Sequence, residues 1–271
     1  MELHEDVSTS TLHALLTLCP CLTETQFSSI SWDESTVLLT ARNQKIVSIV
    51  ESEDRSGGYN VILSPRLDLS LPPGVLTCAV LIEIFAKCCE LREIHIYDVT
   101  AFDETVCAQM VNLCPLLSHV SISHLGRTSH CLRVLAKVEH LTSMELTYSN
   151  IPDKALNDFL ECKPFLIKLT LSDCEGVTAK GLAAIGKYCS RLRYLDLSRC
   201  TSVTNVTVGF ILTVCPRISS LFLVGCRMIT EDLLPYLKSR RMRVIDFSGC
   251  GLNETSADLM ELKENCAFLH C

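Results

Sequence analysis

The sequence lacks an excess of positive charge and a long hydrophobic run. Its 271 residues include 24 Lys and Arg against 31 Asp and Glu, which gives a formal net charge of −7. Nucleic-acid binding needs a concentrated positive field, so we expect no nucleic-acid partner. The one basic cluster is interpreted as a solvated patch and consists of Lys238, Arg240, Arg241 and Arg243. The apolar run around Val75 to Ala86 contains Glu83 and is far shorter than the ~20 residues of a membrane span, which predicts no membrane insertion.

Motifs that carry catalytic chemistry are also missing. The chain contains no complete G-x-x-x-x-G-K-[ST] phosphate loop, no G-x-G-x-x-G, no G-x-S-x-G elbow and no H-E-x-x-H. Ser, Cys, His and Asp are numerous enough that a chance triad could always be drawn, so residue types alone are no evidence of a site. We therefore predict a protein that is not an enzyme and that has no cofactor.

An internal repeat is the strongest pattern in the chain. The string from Leu192 to Thr204 reads LRYLDLSRCTSVT, and a shift of 26 residues in either direction gives LIKLTLSDCEGVT and ISSLFLVGCRMIT. A further unit opens at Met242 and a last, truncated one at Phe268, while weaker units open upstream at Leu91 and Leu117. The period and the L-x-x-L-x-L-x-x-C spacing are those of a leucine-rich repeat.

Each repeat predicts one strand followed by one helix. The fourth and sixth positions are apolar and alternate with polar residues, as a strand with one buried face requires. A threonine then stands where a helix could begin, at Thr178, Thr204 and Thr230, and its hydroxyl could cap free backbone N–H groups. The predicted fold class is an α/β leucine-rich repeat solenoid, with a curved parallel sheet on the concave face and helices on the convex face.

Continuous repetition predicts a single domain over residues 1–271. Residues 1–20 are predicted to contain an N-terminal capping helix, and 21–90 irregular repeats with a polar loop near 51–60. Two strands are expected in this irregular part, one near Leu67 and Leu69 and another around Val47 and Ile49. Regular repeats are predicted over 91–271.

Seventeen cysteines allow two explanations, a disulfide framework or a repeated core position. The repeat favours the second, because four cysteines share its ninth position and four more lie at helix ends. These are Cys174, Cys200, Cys226 and Cys250, and then Cys114, Cys189, Cys215 and Cys266. Buried small thiols and an acidic N-terminus without a hydrophobic signal core predict a reducing intracellular compartment, the cytoplasm first.

Metal binding finds little support in the pattern of cysteines and histidines. Cys19-Pro-Cys21 and Cys88-Cys89 are close pairs, but neither has the second pair of a zinc site. His95 and His119 occupy outward positions on predicted neighbouring strands, and no third ligand is evident. We interpret both histidines as surface residues and predict no metal site.

Residues Leu166 to Cys271 resemble the cysteine-containing subclass of leucine-rich repeats, and GVTAKGL at Gly176 to Leu182 fits its consensus closely. The resemblance extends less strongly back to Leu91. Its best-known members are F-box proteins, whose repeats hold substrates for cullin–RING ubiquitin ligases. An F-box of about 40 to 50 residues is not evident here, because repeat-like sequence begins at Thr11. The resemblance therefore implies first a scaffold or structural subunit of a larger assembly, and second a substrate-recognition subunit of such a ligase.

A protein partner is expected on the concave face and at the open C-terminal edge. Outward strand positions carry an apolar spot at Tyr194, Phe222 and Val224, flanked by two aspartates, and aromatic anchors with a charged rim are typical of interface hot spots. Single exposed aromatics on a sheet are also ordinary. The predicted contact residues are Tyr97, Glu145, Tyr194, Asp196, Phe222, Val224 and Asp246 on the concave face, and Phe268 and Leu269 at the edge.

Overall fold

The computed structural model describes residues 2–3, 24–27, 46–51, 59–64, 66–69, 77–87, 89, 91–96, 102–125, 128–238, 240–253 and 256–270. The chain divides into two compact units. The first is Met1–Ile122 with Val138–His140, and the second is Ser123–Lys137 with Leu141–Cys271. The capping helix predicted within residues 1–20 and most of the polar loop near 51–60 lie outside the described residues.

The first unit contains a mixed sheet with two described helices. Its strands are β1 Glu2–Leu3, β2 Glu24–Phe27, β3 Ile46–Glu51, β4 Tyr59–Ser64, β5 Arg66–Leu69, β6 Glu93–Ile96 and β7 His119–Ser123, whose last residue belongs to the second unit. Their order is β1-β2-β4-β3-β5-β6-β7. The helices are α1 Cys78–Lys87 and α2 Glu104–Leu113. Strands β3 and β5 lie where the sequence predicts them, whereas β4 was not predicted and pairs antiparallel with β2 and β3.

The second unit contains a parallel sheet and one helical segment between successive strands. Its strands are β8 Ser143–Thr147, β9 Lys168–Thr170, β10 Tyr194–Asp196, β11 Ser220–Phe222, β12 Val244–Asp246 and β13 Phe268–His270, hydrogen-bonded in that order. Its helices are α3 Thr128–Leu135, α4 Asp153–Glu161, α5 Ala179–Tyr188, α6 Asn205–Val214, a 3-10 turn at Glu231–Leu233, α7 Pro235–Lys238 and α8 Ala257–Asn265. Alternation of parallel strands with helices confirms the predicted α/β leucine-rich repeat solenoid.

The core of each repeat is built from its fourth and sixth positions. Leu195 and Leu197 are both 0% exposed, and the equivalent residues of neighbouring repeats are equally buried. The side chains of the residues between them lie on the opposite face of the sheet, since successive side chains of a strand alternate. The unbroken register of these pairs, for example Leu169 with Leu195 and Leu195 with Leu221, keeps one apolar row continuous along the sheet.

The ninth position forms a ladder of thiol hydrogen bonds. Cys200 Sγ donates to the Leu171 carbonyl of the preceding repeat at 2.8 Å, and Cys226 Sγ donates to the Leu197 carbonyl at 3.2 Å. Ser149 occupies the same position in the repeat of β8, where its hydroxyl donates to the Thr147 carbonyl and accepts from the Leu125 N–H. A short side chain with a hydrogen-bond donor at this position therefore pairs with backbone groups that the tight turn after the strand does not pair.

In the six repeats where the structure describes it, the eighth position adopts a left-handed backbone conformation. Its φ is +57° at Arg199, +70° at Gly225 and +73° at Gly249, and it is also positive at His124, Tyr148 and Asp173. This conformation turns the backbone N–H toward the next repeat, so that the Arg199 N–H donates to the Val224 carbonyl at 2.7 Å. The strand ladder thus continues beyond the residues that pair as strands.

Helix starts are linked from one repeat to the next. Asp153, the first residue of α4, accepts the Thr178 backbone N–H at 2.7 Å and the Thr178 hydroxyl at 2.5 Å. Asn205, the first residue of α6, likewise accepts the Thr230 N–H and donates to its hydroxyl. Thr178 and Thr204 cap their helices as predicted, but Thr230 makes no side-chain cap.

The repeat that follows β11 departs from the predicted helix. A 3-10 turn at Glu231–Leu233 is followed by α7, which has only four residues and starts at Pro235. Proline has no backbone N–H and fixes φ near the helical value, so it is accommodated in the first turn of a helix and not within one. The domain prediction, a single domain over residues 1–271, stays a prediction.

Candidate protein-binding face

Four side chains form a patch on the sheet face of the second unit. Glu145 on β8, Lys168 on β9, Tyr194 on β10 and Phe222 on β11 occupy the third or fifth position of successive repeats. All four are half-buried. We name Glu145, Lys168, Tyr194 and Phe222 the sheet-face patch. Three of them were predicted as contact residues, whereas Lys168 was not.

Aromatic rings make up the apolar half of the patch. The ring centroids of Tyr194 and Phe222 lie 5.0 Å apart with an interplanar angle of 31°. This distance lies within the range at which aromatic pairs attract one another. Burial raises the pKa of Tyr194 to about 12. The patch therefore offers two neighbouring ring faces and a hydroxyl group.

Lys168 connects the apolar half of the patch to the charged half. Its Nζ lies 4.7 Å from the centre of the Tyr194 ring and 2.5 Å from Glu145 Oε1. A half-exposed ion pair of this kind contributes only about 0–1 kcal/mol. Its main consequence is geometric, because the ammonium group is held over the ring and the carboxylate is neutralised.

The two aspartates predicted as a charged rim are engaged in their own loops. Asp196 Oδ1 accepts the Ser198 N–H at 2.9 Å, and Asp246 Oδ1 accepts the Ser248 N–H at 2.9 Å. Burial raises the pKa of Asp196, and its bonds to Ser198 partly offset this shift. These carboxylates fix the turn after the strand, and their role in partner binding stays a prediction.

Val224 and Tyr97 are two further predicted contact residues. Val224 is half-buried, and its backbone N–H donates to the Ser198 hydroxyl at 3.2 Å. Val224 therefore lies next to the turn that Asp196 holds. Tyr97 lies outside the described residues, so its predicted contact stays a prediction.

The last strand exposes Leu269, whose position earlier repeats bury, and Phe268, which pairs with the outward residue Val244. Phe268 therefore holds the third position of its repeat, and the prediction that the truncated unit opens there is wrong. Phe268 is 65% exposed, and Leu269 is half-buried. Leu269 pairs in register with Ile245, which is 0% exposed and holds the same repeat position. The row of core residues therefore reaches the surface at β13, where the sequence places the open edge.

The basic cluster near residue 240 is not a simple solvated patch. Lys238 Nζ lies 2.7 Å from Asp258 Oδ1 and 2.8 Å from Glu261 Oε2, and these hydrogen bonds raise the Lys238 pKa. Arg240 donates to the Leu212 and Cys215 carbonyls at the C-terminal end of α6. The prediction was wrong for these two residues, because it ignored the acceptors that neighbouring helices present.

A cavity opens between α3 and α4 on the helix side of the second unit. It has a volume of about 620 Å³, and its lining includes the basic residues Arg133, Lys137 and Lys154, the acidic residue Asp158, and Phe159. Lys154 also binds Asp158 across one turn of α4 at 2.6 Å. No pattern in the sequence predicts this cavity, since it arises from the separation of two helices.

One segment of the chain matches part of the phosphate-loop motif. Gly181 to Lys187 has the spacing G-x-x-x-x-G-K, but Tyr188 follows in place of Ser or Thr. The string lies inside helix α5, whereas a phosphate loop precedes its helix. Gly181 instead makes room for Asp153, whose Oδ1 would lie 2.5 Å from an added Cβ.

The interpretation as a surface residue is wrong for His95, whereas His119 is half-buried. His95 is only 3% exposed, and its Nε2 lies 2.8 Å from Glu93 Oε1. Glu93 is therefore the third potential ligand that the sequence did not suggest. Of the cysteine pairs considered for metal binding, Cys19, Cys21 and Cys88 lie outside the described residues.

Comparisons with known proteins bear on the fold alone. No family model matches the sequence, and no curated protein does. The chain is similar in structure to a chain in the crystal structure of the Rad7 and Elc1 complex in yeast, with a TM-score of 0.52 and 17% identity over 72% of this chain. The match spans 59% of that chain.

Two further structures show weaker similarity. An internalin of Listeria monocytogenes gives a TM-score of 0.47 at 11% identity, covering 69% of this chain and 56% of its own. The tropomodulin C-terminal domain of Caenorhabditis elegans gives 0.40 at 8%, covering 52% and 93%. Within the described part of the chain, no helix has the length and apolar character to cross a membrane.

Proposed function

We propose that this protein is a non-enzymatic scaffold for protein–protein interaction or a structural subunit of a larger assembly. The observation that supports this best is the sheet-face patch, where the Tyr194 and Phe222 rings lie 5.0 Å apart beside Lys168. Aromatic side chains supply much of the binding energy at protein interfaces, because they bury a large area and keep few rotatable bonds.

The chemistry of the patch defines the partner that fits it. Two half-buried rings would receive an apolar or aromatic side chain, and the Glu145–Lys168 pair would receive polar groups at its border. A segment of mixed charge with one apolar anchor satisfies both halves. Asp196 and Asp246 contribute indirectly in this proposal, by holding the turns next to Tyr194 and Phe222.

The edge at β13 is proposed as a second contact. Phe268 is largely exposed, and Leu269 is less covered than the core residue Ile245 with which it pairs. Burying apolar surface contributes roughly 25 cal/mol per Å², so covering these two side chains favours association. A protein segment that pairs with β13 would bury both.

Alanine substitution of the two rings tests the proposal. Partners recovered with the intact chain from its native cells are identified and quantified for wild type and for the Tyr194→Ala/Phe222→Ala double variant. We expect at least tenfold less of the main partner with the variant, since loss of each hot-spot side chain costs about 2 kcal/mol or more.

A matched pair of aromatics on other surfaces serves as the control. Phe165 is 58% exposed and Tyr236 is 44% exposed, and neither belongs to the sheet-face patch. The Phe165→Ala/Tyr236→Ala variant should retain the partner. Equal recovery with wild type and both variants would rule out binding through the patch.

The second candidate is a substrate-recognition subunit of a cullin–RING ubiquitin ligase. Support for it comes from the sequence resemblance to F-box leucine-rich repeat proteins. The two roles differ in stoichiometry: a structural subunit is recovered with partners at a fixed ratio, whereas a receptor is recovered with ligase components in substoichiometric amounts.

A reducing intracellular compartment, the cytoplasm first, is part of the proposal. In the described part of the chain, several free cysteines are buried in the core: Cys174, Cys189, Cys200, Cys215 and Cys226. Burial raises the thiol pKa to about 12 at Cys174 and Cys189, which makes the thiolate scarce and these residues inert. Labelling of the tagged chain in its native cells would test this localisation.

A further inference from the structure

Three potential metal ligands converge on the sheet of the first unit. Glu93 and His95 are two residues apart on β6, so their side chains leave the same face of the strand. His119 on β7 lies directly opposite Glu93 in the parallel register. Strand alternation and register together therefore place one carboxylate and two imidazoles on a single face.

The distances between the three groups suit a shared metal ion. Glu93 Oε1 lies 2.8 Å from His95 Nε2 and 3.9 Å from His119 Nδ1. One donor atom from each residue lies within 4.8 Å of the other two. Zinc bonds of about 2.0–2.1 Å at tetrahedral angles place neighbouring ligand atoms about 3.3 Å apart. Movements of about an ångström in side-chain position would bring the three atoms to that spacing.

We propose that Glu93, His95 and His119 form a binding site for a divalent transition metal of the zinc type. Two imidazoles and one carboxylate are a donor set that zinc uses in proteins, and imidazole also suits copper, nickel and iron. Calcium and magnesium prefer sites made wholly of oxygen atoms, so this donor set disfavours them.

Burial of the cluster adds to the case for a prepared site. The exposed fraction of the side chain is 4% for His95, 20% for His119 and 33% for Glu93. The inner ligand is thus held by the surrounding protein, while the outer two leave an approach from solvent. With three protein ligands, a tetrahedral ion keeps one position for water or for a side chain of a bound partner. The site does not depend on the proposed scaffold function.

Cobalt binding tests the site, because Co²⁺ substitutes for zinc and reports its ligands by absorption. The full chain is titrated with Co²⁺ after alkylation of its accessible thiols. Visible bands without a thiolate charge-transfer band are expected at one equivalent, followed by displacement with Zn²⁺. In Glu93→Gln and His119→Asn we expect the affinity to fall at least tenfold, since each variant removes one of three ligands.

The controls separate ligand loss from misfolding and from binding at cysteines. Glu175→Gln changes an exposed carboxylate of the second unit and should keep the wild-type affinity. Circular dichroism melting checks that the two ligand variants are folded, and both alter residues less buried than His95. Weak binding by wild type, equal affinity in all variants, or a spectrum dominated by thiolate bands would each overturn the site and leave a His–Glu hydrogen bond only.

Discussion

At the scale of single residues, the thiol ladder explains why four repeats carry cysteine at their ninth position. Cys226 is 2% exposed, and its Sγ donates to the Leu197 carbonyl of the preceding repeat. Alanine cannot donate this bond, and the lost sulfur leaves a small void. The ninth position therefore requires a small side chain that can donate a hydrogen bond. Serine also meets both requirements, as at Ser149.

Removal of this thiol should destabilise the fold. We expect Cys226→Ala to lower the free energy of unfolding by about 1–3 kcal/mol, from the void and the unsatisfied carbonyl. Cys162→Ala removes an exposed thiol and should change it by less than about 0.5 kcal/mol. Urea unfolding at pH 7 measures both. Equal stability of Cys226→Ala and wild type would show that the ladder contributes nothing.

The same variant gives a pH prediction. Burial raises the pKa of Cys226 from 9.0 to about 12, so the folded state keeps its proton where the unfolded chain releases it. The contribution of this shift is complete below pH 9 and is lost as the pH rises from about 9 to about 12. The stability difference between wild type and Cys226→Ala should therefore shrink by about 1.4 kcal/mol per pH unit above 9. A difference that stays constant from pH 8 to 10.5 would contradict the shift.

At the scale of elements, the link between helix starts accounts for a glycine inside a helix. Asp153 holds the Thr178 N–H and hydroxyl, and its Oδ1 occupies the space that a Cβ on Gly181 would need. Glycine within a helix costs about 1 kcal/mol relative to alanine. The carboxylate therefore imposes the glycine, and the two residues should be energetically coupled.

A double-mutant cycle measures this coupling. Asp153→Ala alone should cost about 1–2 kcal/mol, because it removes two hydrogen bonds at a helix start. Gly181→Ala should destabilise the wild type through the clash but be neutral or stabilising in the Asp153→Ala background. The nearby surface variant Asp158→Ala should not alter the effect of Gly181→Ala. Additive effects in the cycle would refute the steric link.

The left-handed position at the end of each strand gives a second prediction at this scale. Gly249 has φ +73°, and an added Cβ would lie 3.6 Å from its nearest neighbours, which is ordinary contact. Gly249→Ala should therefore cost only the conformational penalty of about 1–2 kcal/mol. Arg199→Gly should gain a similar amount, less about 0–1 kcal/mol for the ion pair with Asp173. Thermal unfolding of both variants checks this, and equal melting temperatures would contradict it.

Several elements were predictable from the sequence because the repeat period is local. The apolar spacing at Leu195 and Leu197 placed the strands, and Thr178 and Thr204 placed the starts of their helices. The antiparallel strand β4 was not predictable, because alternation within a strand says nothing about the direction of its neighbour. The shortness of α7 was not predicted. Pro235 can either begin a helix or interrupt one, and the sequence pattern did not show where the helix starts.

The candidate sites were less predictable because they depend on contacts between repeats. Tyr194 and Phe222 could be paired from their register, and the rings do lie 5.0 Å apart. Asp196 and Asp246 were predicted to form a charged rim because they occupy outward strand positions. Their hydrogen bonds to Ser198 and Ser248 were not foreseen from the repeat pattern. Glu93 was not predicted as a ligand. Its position opposite His119 follows from the register between β6 and β7, which the sequence pattern does not define residue by residue.

At the scale of the whole molecule, the repeat fold carries two proposed contact surfaces and a proposed metal site. The second unit carries the sheet-face patch and the exposed edge at β13, and the first unit carries the proposed metal site. The patch and the proposed metal site lie at outward strand positions, whereas Leu269 at the edge continues the core row. Variation at the outward positions changes the partner without changing the fold.

The most direct measurement of the central claim is site-specific photo-crosslinking in native cells. A benzoylphenylalanine replaces Phe222 within the sheet-face patch or, as the control, the more exposed Phe165. We expect one dominant protein crosslinked at position 222 and weaker, heterogeneous products at position 165. No specific product at position 222, or the same products at both positions, would contradict binding through the sheet face.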